Sequence, residues 1–454
     1  MRRDLLKRRV SLLLVLLAHY AGSQLHAQSA VASEKTETPT RHLIICVDGV
    51  AFSTIEKMRA EGHFKMFRAP SRMVAPFPSL TNLSISEILK PAGAGEAVGY
   101  EDNYYDAEKN TLRGGLLDRF RGERFIKGTF RELFDYHPSA IKSGLGYVAP
   151  PVSTYVESLT DLVRLKQKFR SSRAAVFFAY TGASDSLAHL GGERMLKSFL
   201  ANLDDAVQDL ARDGRTEVTI FSDHGNEFVG YRRVSLKSAL RRGGFKLDGK
   251  LKDERSVVFP QFGLVGCAVM WTKEENEAQL AEVVSQVRGV DFAAYERDGA
   301  VYVLSQKGTA TLERHGDRFR YRALQGDALE LAPVAESLAR RGKADGDGFI
   351  ADGDWFAATV EGARPDAVRR IFEGVGERVH HRANVVVNFG DGYYTGSKSL
   401  GLFAFLQATH GNLGSGQSFG FVMSTSRDLP AHLRARDVWQ AIGSPVLKKT
   451  IKRS

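Results

Sequence analysis

Four stretches of the chain place an acid or a histidine directly after an apolar run or beside a glycine. They are Asp48 in ICVDGV, Asp185 and His189 in ASDSLAH, Asp223 and His224 in FSDHGN, and His410 in ATHGNLG. Strand exits are where α/β proteins bind ligands. An Asp beside a His suits a metal-ligand pair, half of a catalytic triad or an ordinary polar turn. Together the four stretches supply three carboxylates and three imidazoles, a donor set for two borderline dications such as zinc. Asp185 and His189 are spaced so that both side chains reach one ion if the segment is helical. Asp223 and His224 are adjacent, so they meet one ion only where the backbone turns sharply, and Gly225 eases such a turn.

A fifth stretch, PFPSLTNLS at 76–84, offers hydroxyls at Ser79, Thr81 and Ser84. A hydroxyl alone is a weak nucleophile at neutral pH, and a bound dication lowers its pKa and orients its oxygen. If Thr81 begins a helix, free backbone N–H groups there face an incoming anion. Singly, each of these features is ordinary, because an Asp-Gly after a strand is usually just a turn. His42, His63, His137, His315, His380 and His381 lack the pairing with an acid at a strand exit and read as surface or structural. The aromatic and acidic runs GYEDNYYD and GDGYY either line a pocket or pack on a neighbouring subdomain. No Gly-x-Ser-x-Gly elbow stands at a strand-to-helix turn, which weakens a Ser-His-Asp hydrolase reading.

The elements that must hold these residues are legible as alternation. HLIICVDGV, AAVFFAY and EVTIFSDHG read as buried strands, and FSTIEKMRAEG, SLTDLVRLKQKF and MLKSFLANLDDAVQDLARDG as helices. TGASDSLAH reads as a loop. Strands alternating with helices predict an α/β fold with a mostly parallel central sheet sandwiched by helices. Between 230 and 395 the character changes to hairpin-like alternation in GAVYVLSQKGTATLERHGDRFRYRAL, with helices at EAQLAEVVSQV and PDAVRRIFEGV. The expected organisation is therefore a core of 41–229 and 396–454 with an inserted α+β cap at 230–395 that includes some core elements.

The whole chain of 454 residues is 43% hydrophobic and 26% charged, as in soluble globular proteins. Residues 1–27 run from a basic start through an apolar segment to small residues and read as a signal peptide, and Arg2-Arg3 allows a twin-arginine route. An uncut N-terminal anchor is the alternative. Residues 28–40 read as a flexible leader, and no other stretch reads as membrane-spanning. Without the signal, 58 basic face 52 acidic residues. That mild excess suits a small anionic substrate and not specific nucleic-acid binding. Cys46 and Cys267 read as small buried hydrophobes, with a disulfide allowed in an oxidising compartment.

Taken in order, the strand-exit Asp48, Pro-Ser-x-Thr at 78–81, Asp-x-x-x-His at 185–189, Asp-His-Gly at 223–225 and Thr-His-Gly at 409–411 resemble the alkaline phosphatase superfamily. Within it the chain looks like the type I phosphodiesterase and nucleotide pyrophosphatase branch, from about residue 42 to 440. PSLTN is also similar to the phosphonoacetate hydrolase branch, and Thr81 is followed by Asn82-Leu83-Ser84 where pyrophosphatases commonly have Phe-Pro-Asn-His. The resemblance implies that Asp48, Asp223 and His224 hold one zinc, with Thr81 on it as nucleophile. It implies that Asp185, His189 and His410 hold the second zinc, and that Asn82 contacts phosphate. The implied activity is a periplasmic or secreted phosphodiester or pyrophosphate hydrolase passing through a phospho-threonine. Monoesterase, phosphonate hydrolase and a catalytically silent metal-binding envelope protein are the alternatives.

Overall fold

The computed structural model describes residues 40–101, 103–114, 133–138, 151–261, 263–396 and 406–443. The signal and all of the leader but Thr40 lie outside them. The elements used below run along the chain as β1 (Arg41–Val47), α1 (Phe52–Ala60), β2 (Ser71–Val74), α2 (Thr81–Leu89), α3 (Pro151–Ser171), β3 (Val176–Thr181), α4 (Ala183–Leu210) and β4 (Thr216–Phe221). Then come β5 (Arg232–Arg233), α5 (Leu236–Arg242), β6 (Cys267–Met270), α6 (Glu277–Ser285), β7 (Val290–Arg297), β8 (Ala300–Ser305), β9 (Gly308–His315), β10 (Arg318–Gly326) and β11 (Ile350–Ala351). The chain closes through α7 (Ala367–Gly376), β12 (Val385–Phe389), β13 (Tyr393–Tyr394), β14 (Phe419–Ser424) and β15 (His432–Arg434).

Six strands form the central sheet in the order β15-β2-β14-β4-β1-β3. All run one way except β14, which is antiparallel to both neighbours. β1 pairs in parallel with β3 and β4, His42 opposite Val176 and Glu217. Its run is apolar throughout because both faces are covered. Leu43, Ile45 and Val47 pack with residues of α1, α3 and α4 such as Ile55, Leu165 and Leu203. Ile44 and Cys46 point the other way, into a core with Leu83 and Ile88 of α2.

That second core is shared. Phe292, Val301, Val303 and Val386 belong to it too, and they come from a seven-stranded antiparallel sheet ordered β6-β12-β7-β8-β9-β10-β11. The opposite face of this second sheet is covered by α6, where Leu280 and Val284 meet Val385 and Val387. The antiparallel hairpins of 230–395 are therefore built onto the main core by an apolar face. The run VVVNF becomes β12, paired on both sides inside the second sheet. Helix α7 joins the two halves through Arg370, considered below.

One local expectation differs from what the chain does. TGASDSLAH is not a loop, because Asp185 and His189 lie in the first turns of α4. Gly182 provides the bend before the helix, and a second break falls at Gly192, with φ +73°. His42, read as surface or structural, lies inside β1 and is buried, with Nε2 2.8 Å from Thr219 Oγ1. Cys46 and Cys267 are free and buried.

Candidate metal centre

The parallel strands end along one edge, and the acids stand on that edge. Asp48 follows β1, Asp223 and His224 follow β4, and α4 begins directly after β3. The Asp48 N–H donates to Thr181 O at 3.0 Å, tying the first exit to the second. The Gly49 N–H donates to Asp223 Oδ1 at 3.1 Å and the Val50 N–H to Ser222 Oγ at 2.8 Å, tying it to the third. Gly49 has φ +63°, and a side chain there would meet Asp185 Oδ1 at 2.5 Å and Asn226 Nδ2 at 2.6 Å. Only glycine allows the turn and the close approach together.

His410 arrives on the loop before β14, fixed by the Gly266 N–H on its carbonyl at 2.7 Å and the Ser79 N–H on Gly411 O at 3.2 Å. Thr81 is the first residue of α2, after extended Leu80. The N–H groups of Thr81, Asn82 and Leu83 therefore have no partner within their helix.

Ligand atoms of Asp48, Asp223 and His224 lie within 4.8 Å of one another, as do those of Asp185, His224 and His410. His224 belongs to both groups. His189 stands beside the second, its Nε2 3.2 Å from Asp185 Oδ1. The rings of His224 and His410 stack at 4.0 Å, and that of His189 meets His410 edge-on at 5.3 Å. All six acids and imidazoles are between 0% and 7% exposed. Thr81 and Asn82 are half-buried, so the site opens on their side.

The histidine protons can be placed from their partners. His224 Nδ1 faces Gly225 O at 3.0 Å, and His410 Nδ1 faces Ser79 O at 2.9 Å. A carbonyl only accepts, so Nδ1 carries the proton in both and Nε2 is a bare lone pair. Burial holds His224 below its usual pKa, and burial followed by His224 pushes His410 down to about 3, so both rings are neutral.

The bare His224 Nε2 is 3.5 Å from Asp48 Oδ1 and 3.4 Å from Asp223 Oδ2. Asp223 Oδ2 is buried and has no hydrogen-bond donor among the described residues. Acceptors facing acceptors in a dry site repel, and a dication between them removes the conflict. Burial, then Asp223 and Asp185, push the Asp48 carboxyl well up. Burial foremost pushes Asp223 to about 6. Burial works the same way on Asp185, but His189, with Nε2 3.2 Å from Oδ1, outweighs it and holds that carboxyl well down. The donor set, its tautomers and its unmet acceptors fit a transition-metal dication.

Thr81 lies where such an ion would be felt. Its hydroxyl is 3.2 Å from Asp48 Oδ1 and 3.1 Å from His224 Nε2. Of the other two hydroxyls, Ser79 Oγ donates to Asn412 O at 3.0 Å, and Ser84 is fully buried in α2 with no hydrogen-bond partner for its Oγ among the described residues. The Asn82 side chain makes no hydrogen bond among the described residues, leaving its amide available at the mouth.

Several supporting residues escaped the sequence. Tyr180 donates to Asp48 Oδ2, and Asn226 donates to Asp185 Oδ1 at 3.0 Å and Gly49 O at 2.7 Å. Asn226 stands two residues after His224, so proximity in the chain was a usable signal. Tyr180 reads only as another strand residue. Arg370 of α7 is fully buried and donates to Ser79 Oγ at 3.1 Å, Ser418 Oγ at 2.8 Å and Pro76 O at 3.3 Å. It thereby braces the segment that presents Thr81 and the Ser79 carbonyl that His410 uses.

The remaining histidines are elsewhere: His63 sits 3.5 Å from Asp204, and His381 stacks on Tyr104 at 5.1 Å. The aromatic runs pack rather than line the centre, Tyr105 against Trp271 at 5.7 Å and Tyr394 against Tyr231 at 6.4 Å.

No family model matches the sequence. No curated protein matches it either. Solved structures do resemble it. Phosphonoacetate hydrolase from Sinorhizobium meliloti 1021, in complex with phosphonoformate, superposes with a TM-score of 0.51 at 13% identity, over 88% of this chain and 94% of that one. Murine ectonucleotide pyrophosphatase/phosphodiesterase 5 aligns with a TM-score of 0.47 at 10% identity, over 91% and 95%. The fold is thus alkaline phosphatase-like, a helix-flanked and mostly parallel sheet shared with phosphonoacetate hydrolase. Among the described residues no helix is long and apolar enough to cross a membrane.

Proposed function

We propose that this protein is an exported metal-dependent hydrolase of phosphate esters, with phosphodiesters or pyrophosphates as favoured substrates, two zinc ions as cofactor and Thr81 as nucleophile. The observation that carries the reading is the crowding of buried acceptors around the bare His224 Nε2, Asp223 Oδ2 among them without a donor, with the Thr81 hydroxyl 3.1 Å away. Asp48, Asp223 and His224 hold one ion, and Asp185, His189 and His410 the other. When bound, the ions supply a lowered hydroxyl pKa and positive charge against the phosphoryl oxygens.

The chain's own groups do the rest. Asp48 and His224 orient the Thr81 hydroxyl. The N–H groups at the start of α2, with the Asn82 amide, receive the phosphoryl oxygens. Thr81 Oγ1 bonds to phosphorus as the bond to the leaving oxygen breaks, giving a phospho-threonine. Water then cleaves the new ester, restoring Thr81 and releasing the phosphate product. Tyr180 and Asn226 hold Asp48 and Asp185 in place, as outer partners of metal ligands do. Export rests on the N-terminal sequence.

A second reading, phosphonate hydrolysis at the same centre, is favoured by PSLTN and by the fold shared with a phosphonoacetate hydrolase. The test compares bis(p-nitrophenyl) phosphate, p-nitrophenyl phosphate and phosphonoacetate as substrates of the zinc-loaded protein, with and without chelator. Chelator-sensitive turnover of the diester supports the main reading. Turnover of phosphonoacetate alone selects the second, and stoichiometric zinc without turnover of any of the three rejects both.

A further inference from the structure

A cavity of about 770 Å³ away from the metal centre is lined by Arg232, Arg233, Arg242 and Arg288, with the hydroxyls of Ser235 and Ser238. The guanidinium groups come from three places: strand β5, the end of α5 and the turn after α6. No carboxylate is among the lining side chains. Arg233 donates to Gly396 O at 2.6 Å. Arg232, Arg242 and Arg288 form no ion pair among the described residues.

Arginines elsewhere in the same region are paired, Arg364 with Asp291 and Arg320 with Glu313. The helix dipole accounts for a cation in the last turn of α5, which is Arg242, but not for the other three. Concentrating like charge in a concavity costs energy and focuses a positive potential there. The volume is that of a small-ligand site. Arginine's planar fork suits phosphate oxygens. Tyr393 and Val283 supply an apolar wall, and Gly289 with φ +93° leaves the room that Tyr393 fills, since a side chain there would meet the ring at 2.4 Å.

We propose that this cavity is a second anion site, binding a small polyanion with two or more phosphate groups on a compact ring body, independently of the metal centre. The site goes beyond the hydrolysis proposed above and does not require it. β5 begins eight residues after His224, and the Glu227 N–H between them bonds Thr409 O beside His410.

The probe is pyrenetetrasulfonate, a fluorescent ring with four anionic groups that the enzyme cannot hydrolyse. Its anisotropy is followed with the zinc-loaded full protein. Binding is expected, weakening with salt and persisting unchanged in Asp223→Asn. The surface variant Arg232→Ser/Arg242→Ser should weaken it about tenfold or more. Arg340→Ser/Arg341→Ser, which removes the same charge outside the cavity, should leave it unaltered. Inositol hexakisphosphate should displace the probe, and phosphatidylglycerol vesicles should not. Equal loss in both arginine pairs, loss in Asp223→Asn, absence of binding or displacement by vesicles alone would each overturn the assignment. Failure of hydrolysis with cavity binding intact would leave this site standing and reject only the catalytic reading.

Discussion

The Thr81 hydroxyl lies 3.2 Å from Asp48 Oδ1, although 33 residues and a whole strand separate them in the chain. One residue ends β1 and the other starts α2, so the contact is set by how the sheet edge meets a helix N-terminus. Thr81→Ala should retain zinc and fold normally while turnover falls by about 10³-fold or more, the scale of losing a covalent nucleophile. Full activity in this variant, measured with bis(p-nitrophenyl) phosphate, would remove Thr81 from the mechanism.

Asp223 carries a pH dependence. Its folded carboxyl sits at about 6, above the ordinary value of 3.8. The folded state therefore holds that proton more tightly. The contribution to stability is fully present below the unfolded value and is lost as pH rises through about 6. Urea unfolding of metal-free protein should show a loss on the order of 3 kcal/mol across that window, since each pH unit between the unfolded and folded values is worth about 1.4 kcal/mol. Asp223→Asn should flatten the curve, and zinc should restore stability at neutral pH in the parent only. Identical curves for both metal-free proteins would refute this.

Gly49 permits the approach of three strand exits. In Gly49→Ala the added carbon meets Asp185 and Asn226, and the left-handed backbone is strained besides. We expect a loss of about 1–3 kcal/mol in stability and weaker binding of the second metal ion. Calorimetric zinc titration should show one site retained and one impaired. Two unimpaired sites would contradict the assignment of Asp185.

Arg370 is buried, and burial pushes its guanidinium down to about 9, still charged at neutral pH. Removing it leaves Ser79 and Ser418 without their donor. Arg370→Met should lower stability by about 1–3 kcal/mol and reduce kcat through the displaced Thr81 segment. Arg370→Lys keeps the charge but not the fork, so stability should recover more than kcat. Recovery of both together would make the residue purely structural.

The aromatic runs show why some of the sequence misleads. GYEDNYYD and GDGYY have the composition of a ring-binding surface, yet Tyr104, Tyr105 and Tyr394 meet His381, Trp271 and Tyr231, and Tyr393 lines the arginine cavity and not the metal centre. Composition does not say which side of a sheet a tyrosine faces. The helical character of Asp185–His189 was hidden for a similar reason, since ASDSLAH carries local turn formers and only its packing onto β1 and the 406–410 loop makes it the start of α4.

The amino-acid sequence by itself determined the parallel strands, their order of use and the six ligand candidates. Each is written locally, as an apolar run that stops at an acid or imidazole, and neighbours in the chain carry that signal. Tertiary structure alone decided that His224 stands in both groups, that Tyr180, Asn226 and Arg370 brace the centre, and that four arginines share a cavity. These are contacts across 41 to 291 residues of chain in the cases of Asn226 and Arg370. No periodicity or motif encodes them, because they exist only once two sheets close on a common apolar core.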